Sequence, residues 1–563
     1  MGAGLPAAAQ GSGAAAGAGQ YDPPVRPLRG AAVGDQIARV ELQVAASSGD
    51  AARDDAALRA ARAATGVLIG RSYRPVLVDT ALASLVSAGT VRAASHRPVF
   101  DGARGALGIL VSLDLSTPQL GASAPPTEVF PVIHQDDRTK LTFILSAGAG
   151  VYSDIDSWFG RPELFNEFNP LAGNLPGSET AWGEGYLEVG IGGATRLGDS
   201  DFYVFGAASG LSSFSGGQDI FTDANRNFLH PEKGYGGLHY ANTETGNTAH
   251  LSFGRQTWTL NSGFLISMIS GSANAGERGA TYLGPRNAAD FAAIATGEFG
   301  RARSSAFYID SDELEDLESN TTFAGLNLGW QFTEGLTADA SFITIPTSDS
   351  TYQTPSGEAL AREGTTTWGV RGLWRPTTPD HLWLEGEAYT QTNPDYDMDA
   401  QAWYGTVGYI WGSWPWSPSI SYRYVTFSGD DPNTDTFERF DGLMINGFGN
   451  WLPGMSFGKV YRNANLNAHR VQANVVPREG MNLTFEWHRL RADQLNNLGG
   501  NPALSTLTSS DIGKEYTVAL RWGIDRNLFL QAVASHALPG RALRAIGADV
   551  PWTTLQASLY VSL

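Results

Sequence analysis

From Lys140 to the C-terminus the chain repeats segments in which alternate positions are apolar, separated by clusters of Gly, Asn, Asp and Pro. In "KLTFILSAGAGV" one face carries Leu141, Phe143, Leu145, Ala147, Ala149 and Val151. "TFAGLNLGWQF" sets Ala324, Leu326, Leu328, Trp330 and Phe332 against Gly325, Asn327, Gly329 and Gln331. "TTWGVRGLW" and "HLWLEGEAYTQ" do the same, with Arg371, Glu385 and Glu387 on the polar side, and "NLTFEWH", "EYTVALRW" and "TLQASLYVSL" behave alike. A soluble sandwich also alternates, but it rarely needs strands this long with Trp and Tyr repeatedly at their ends. Those end aromatics match the girdles at membrane interfaces. Strands in hydrocarbon must close on themselves, because each unpaired backbone group there costs several kcal/mol. The pattern therefore predicts a mainly β chain, a large antiparallel transmembrane β-barrel over residues 138–563.

A different texture precedes it. "QIARVELQV" reads as a strand, "RDDAALRAARAATG" as an Ala-rich helix ending at Gly66, and "RPVLVDTALASLVSAG" as a second helix with Val76, Leu77, Leu82, Leu85 and Val86 near helical spacing. "TVRAASHRPVF" and "GALGILVSLDL" follow as two strands joined by the turn "DGARG". With its "LASLVSAGTV" junction and "GALGILVSLDL" as last strand, this strand–helix–helix–strand–strand order resembles a POTRA domain, the periplasmic module found in front of transport barrels. It implies a small α+β domain over 35–115 that docks periplasmic export proteins. Residues 116–137, opening with "STPQLGASAPPTEVF", break all periodicity and read as a linker. Residues 1–34 read as a flexible leader: they lack a basic n-region and an apolar h-region, although "PAAAQ" resembles the end of a secretory signal.

Composition narrows the function. The 563 residues include no Cys, which excludes disulfides and thiolate metal sites. Net charge is −19, and only four of the 38 basic residues are Lys, so nucleic acid is excluded as a partner. No stretch has the run of about 20 apolar residues that a spanning helix requires. Metalloprotease, serine-hydrolase and phosphate-loop motifs are missing, no metal or cofactor is expected, and the nine His lack ligand spacing. "GDDPNTD" lacks EF-hand spacing and reads as a solvated loop. Glu385 and Glu387, two apart on a strand, are what any polar lumen carries and do not argue for a glycosidase. The chain is not expected to be an enzyme.

The stretch "DMDAQAWYGTVGYIWGSWPWSPSISYRYVTFSGDDPNTDTFERFDGL" places an acidic residue before Ala-x-Trp, then a Gly-Tyr strand end, a Pro turn, Arg-Tyr and Ser-Gly-Asp-Asp. It resembles the alginate-export family of outer-membrane porins, and "LSFGRQTW" at 251–258 is similar to that family's Gly-Arg-Gln strand end. The resemblance implies a barrel of 18 strands, with 16 as the alternative, in the Gram-negative outer membrane. It also implies a pathway for an anionic, alginate-like polysaccharide, with outer-membrane lipid around the barrel and the N-terminal domain in the periplasm.

Strand parity puts Arg371, Arg423, Arg470 and Arg521 on the lumen side with Glu184, Glu188, Asp339, Glu385, Glu387, Glu486 and Glu515. Guanidinium forks bind carboxylates bidentately, and neighbouring carboxylates keep such binding weak enough for release. Mutual pairing of these charges across the lumen is the competing expectation. Arg255 shares parity with Phe253, so it is expected beyond the apolar band or after a bulge. Asp430, Asp431 and Asp435 are expected in an extracellular loop. A protein-secretion transporter, capturing extended chains by strand addition to the POTRA-like domain, and a solute-uptake porin are the alternatives. The only "VRG", residues 370–372, is followed by Leu within a strand and does not fit the lumen-loop motif of the secretion class.

Overall fold

The computed structural model describes residues 37–47, 51–66, 78, 82, 85–86, 91–101, 106–115, 132–135, 138–166 and 177–562, the last range with breaks at 199, 222–224, 243–246, 268–278, 281, 314–317, 334, 377, 379, 445–450, 452, 462, 479 and 525–526. The leader, residues 116–131 and most of the second helix expected near 74–89 lie outside the described residues.

The N-terminal unit contains β1 (Ile37–Ala46), a helix (Ala51–Gly66), β2 (Ala93–Asp101) and β3 (Ala106–Asp114). β3 is central, parallel to β1 and antiparallel to β2. Its Ile109, Val111 and Leu113 are fully buried on one face. Ala57 and Ala61, one turn apart, give the helix a small-residue face in the same core, which Val78, Leu82 and Leu85 complete.

The rest is one closed sheet. Its strands are β4 (Val132–Gln135), β5 (Thr139–Ile155), β6 (Thr180–Arg196), β7 (Phe202–Gln218), β8 (Arg226–Ala241), β9 (Thr248–Arg255), β10 (Phe291–Phe299), β11 (Ala302–Asp310), β12 (Thr322–Thr333) and β13 (Leu336–Thr344). After a small hairpin of β14 (Thr351–Gln353) and β15 (Ala359–Ala361) come β16 (Thr366–Trp374), β17 (Asp380–Thr392), β18 (Ala400–Trp411), β19 (Ser419–Phe427) and β20 (Leu466–Val475). β21 (Met481–Ala492), β22 (Asp511–Gly523), β23 (Leu528–Pro539) and β24 (Trp552–Ser562) complete it. Each long strand pairs antiparallel with its neighbours, and β24 closes on β5, giving 18 strands.

The segment expected as linker ends differently: β4 pairs with β5 from Val132 opposite Thr142 to Gln135 opposite Lys140. β24 covers the same edge of β5 from Ile155 to Ser146, so β4 prolongs its line and shields an edge that lipid would otherwise meet unpaired. Four residues are too few to carry a period, which is why "VIHQ" leaves no trace in the pattern.

Alternation is the rule along the strands. Val151, Val189, Leu328, Trp368 and Val370 are at least half exposed, while their neighbours in sequence point inward. A water-facing surface this apolar would aggregate, so its solvent is lipid. No described helix is long and apolar enough to cross a membrane. Connections at one end of the barrel are short turns of two to seven residues; at the other they are loops of up to 38 residues. In the two longest, 256–290 and 428–465, described residues such as Phe264, Leu265, Tyr282, Leu283, Trp451 and Phe457 are buried inside the barrel.

Candidate functional site in the barrel lumen

Register assembles a charged cluster on the wall of β13, β16 and β17. Asp339, Arg371 and Glu387 lie in one row across the three strands, and Glu385 is one pleat away. Arg371 reaches Glu385 through Nη2 at 2.7 Å, Glu387 through Nε at 3.1 Å and Asp339 through Nη1 at 3.6 Å. Arg303 adds a second cation on Asp339 at 3.2 Å. The hydroxyls of Tyr389 and Tyr404 donate to Glu387 at 2.9 and 3.0 Å. Gly369 stands opposite Tyr389, whose ring lies over it where any Cβ would collide.

The basic track continues around the wall. Arg423 and Arg470 are directly opposed on β19 and β20, an arrangement that repels unless carboxylates share the space. Glu486 lies 4.0 Å from Arg470 Nη1 and accepts from Gln472 Nε2 at 2.8 Å. Arg423 Nε donates to Thr406 at 2.9 Å, and its guanidinium stacks on Trp451 at 4.1 Å and Tyr404 at 5.1 Å. Arg521 donates to Thr484 at 3.2 Å, nearer the turn end. All four arginines of the sequence analysis face the lumen and are buried there, as are Asp339 and Glu387; Glu385 and Glu486 face it half-buried.

Glu515, grouped with these by parity, has another task. Its carboxylate accepts the backbone N–H groups of Met455, Ser456 and Phe457, which pins the 428–465 loop to β22. Gly454, at φ +96°, gives the chain the left-handed turn that lets it wrap the carboxylate, where a Cβ would collide with the oxygens. Other wall carboxylates do the same work. Glu184 accepts from Tyr282 N and Leu283 N at 2.7 and 3.0 Å, and Glu232 from Asn287 N and Ala288 N at 2.9 and 3.2 Å, holding the 256–290 loop. Asp154 binds Lys459 Nζ at 3.2 Å and Trp552 Nε1 at 2.7 Å. Glu188 is paired with Lys233.

The two loops also hold each other. Met444 N donates to Leu265 O at 3.0 Å, Trp451 Nε1 to Ser262 O at 3.1 Å, and Phe264 packs against Trp451, Tyr404 and Phe427 with ring centroids 4.8–5.3 Å apart. This inward packing was not foreseen from the sequence. Its signal was the apolar content of "GFLI" and "TYLG" in segments otherwise rich in turn residues.

At the loop end, Asp430 is buried and its carboxyl is pushed above the usual range, chiefly by burial, although it accepts Glu438 N at 3.0 Å. Asp431 caps Asn433 N at 3.0 Å, and Asp435 is exposed. Past them the chain turns inward. Asp441 takes Arg362 in a fork at 2.6 and 3.2 Å and the Tyr352 hydroxyl at 2.7 Å, tying the β14–β15 hairpin to the inner loop. Burial alone would raise the Asp441 carboxyl, but the guanidinium outweighs it and holds the group below its ordinary value. Arg255, at the end of β9, is clamped by Asp290 at 2.9 Å and Asp312 at 2.6 Å, clear of the apolar band.

A closed barrel with a lipid-facing exterior and a charged, loop-filled interior defines an outer-membrane channel. The alginate export family profile matches residues 223–550, more than half of the sequence, and the chain belongs to that family, with its place in the Gram-negative outer membrane. No curated protein sequence matches. Among solved structures the chain is similar to Pseudomonas aeruginosa OccK5 (OpdH), at 10% identity over 75% of this chain and 98% of that one with a TM-score of 0.46. It is similar to Acinetobacter baumannii OccAB1 at 12% identity, 75% and 97% coverage and a TM-score of 0.48. For Pseudomonas aeruginosa OpdK with vanillate the values are 10%, 75%, 99% and 0.42.

Proposed function

We propose that this channel exports an anionic, alginate-like polysaccharide, with Arg371, Arg423, Arg470 and Arg521 as successive carboxylate contacts. The observation that carries the reading is the inward basic track on β16–β22, interleaved with Asp339, Glu385, Glu387 and Glu486. A uronate carboxylate entering the track competes with these wall carboxylates for the same guanidinium forks, so each contact is exchanged rather than fixed. Glu515 is a loop anchor in this reading and not a contact. The 256–290 and 428–465 loops are the gate, and a passing polymer must displace Trp451 from Arg423.

The N-terminal unit is the docking module for periplasmic export proteins. Its mixed sheet supports a POTRA-like reading, and β1 and β2 each pair only with β3 among the described residues, which leaves edges for strand addition. Val370, Arg371 and Gly372 lie within barrel strand β16, which speaks against a protein-secretion motif.

The test is the reversal potential of the purified full-length protein in a planar bilayer under a salt gradient. Anion selectivity blocked by polyuronate supports the reading. A pore indifferent to polyuronate, or one selective for cations, overturns it.

A further inference from the structure

Basic side chains also gather on the outside of the barrel, where the lumen cannot use them. His469, Arg489 and Lys514 stand in one cross-strand row on β20, β21 and β22, opposed residue to residue. All three have the parity of the lipid-facing positions Phe485, Tyr516 and Val518. Arg491 lies one pleat further toward the loop end, exposed, with Nη2 on Ser510 Oγ at 3.1 Å. Neither Arg489 nor Lys514 has an ion pair among the described residues. Lys233 and Lys459, by contrast, are held by Glu188 and Asp154. The carboxylates nearby are already engaged: Asp511 faces Arg541 at 3.7 Å, and Asp493 accepts Asn467 Nδ2 at 3.1 Å and Gly429 N at 3.0 Å.

Directly toward the turn end, about 7 Å down the strands, the next outward row is Val471, Trp487, Tyr516, His536 and Thr553, and the one after it holds Ala473, Phe485, Val518 and Ala534. The small side chains of Ala473 and Ala534 leave a groove of about 550 Å³ between the larger ones. Tyr424 stands opposite His469 in the basic row, its ring tilted against His469 at 5.0 Å and against Trp403 at 5.3 Å, and extends the aromatic belt of Trp487 and Tyr516 around the wall. Such a belt marks the boundary between hydrocarbon and headgroup. Arg489 and Lys514 therefore sit at headgroup depth on the loop side, beside the His469 ring that shares a hydrogen bond with the Tyr422 hydroxyl at 2.7 Å, and the apolar groove opens beneath them into the acyl layer.

We infer that this face binds a phosphorylated, multiply acylated glycolipid of the outer leaflet, of the lipid A type. One phosphate lies across Arg489 and Lys514, with His469 and Arg491 flanking it, and an acyl chain occupies the groove between Trp487, Tyr516 and Ala534. Charge complementarity selects this occupant: a zwitterionic lipid would fill the groove equally well but bring its own cation against Arg489, Lys514 and Arg491. The lipid would pack against β20–β22, the strands whose inner faces carry Arg470, Glu486 and Glu515.

The experiment is native mass spectrometry of the full-length protein in detergent, titrated with bisphosphorylated lipid A, dephosphorylated lipid A and phosphatidylcholine. Wild type should bind bisphosphorylated lipid A most tightly. R489Q/K514Q should bind it roughly 10- to 30-fold more weakly, the effect of removing two basic residues from an anionic surface. Channel conductance and resistance to unfolding in detergent should stay unchanged in that variant. A534F, which fills the groove and leaves the charges, should also weaken binding. Equal affinity of wild type and R489Q/K514Q overturns the proposal, as does equal affinity for the phosphorylated and dephosphorylated glycolipid. Inorganic phosphate binding as tightly as the glycolipid also overturns it, because the acyl groove would then contribute nothing.

Discussion

Lys459 of the long inner loop and Asp154 of β5 meet at 3.2 Å with neither side chain exposed to solvent. The ammonium also lies over Trp552 at 4.9 Å, whose indole N–H donates to the same carboxylate. Removing one partner of a buried pair leaves an uncompensated charge and costs about 3–5 kcal/mol, whereas removing both can be nearly neutral. Lys459→Met should therefore free the loop and raise single-channel conductance, and D154N/K459M should recover part of the closed behaviour. Identical conductance traces for wild type and both variants would show that this pair does not hold the gate.

The arginine track predicts selectivity residue by residue. Arg371→Gln and Arg423→Gln each remove one lumen charge while keeping a hydrogen-bonding side chain. A unit charge acting at ~7 Å through water contributes about 0.6 kcal/mol, so anion preference should fall roughly threefold per residue. Reversal potential reads this directly, and values unchanged from wild type would remove both residues from the pathway.

What the sequence made legible follows from the period of two. Wherever a strand alternated over nine or more residues, as in Thr366–Trp374 and Asp380–Thr392, the lumen and lipid faces could be assigned, and Arg371, Glu385 and Glu387 fell together by register. The four-residue β4 was too short to show a period. The roles of Glu184 and Glu515 were hidden for a different reason: parity says that a carboxylate points inward but not that a loop 98 or 60 residues away in sequence will cover it with backbone N–H groups. Arg423 was likewise placed on the correct face, yet its cover by Trp451 depends on how a long loop folds back.

The Asp441–Arg362 fork gives the loop end a defined pH response. The carboxyl is held below its ordinary 3.8, so its contribution is fully present above that value and is lost as pH falls through the depressed one. The clamp should persist at pH 5 and fail only below 3.8. Conductance followed from pH 7 to 3 should rise at the acid end in wild type, and Asp441→Asn should show the raised level already at pH 7. An acid step of the same size in the Asn variant would assign it to another group.

The N-terminal unit and the barrel are expected to divide the work. The small sheet has its own core of Ala57, Ala61, Val78, Leu82, Leu85, Ile109, Val111 and Leu113, so the barrel does not need it to bury apolar surface. The barrel in turn closes through β24 and β4 on β5, downstream of that core. Deleting residues 30–115 should therefore leave conductance and polyuronate block intact while abolishing polysaccharide secretion in cells, because the deletion removes the unit proposed to dock the export partners. Secretion at the wild-type level would remove the docking role, and a deletion variant without conductance would show that the unit contributes to the pore itself.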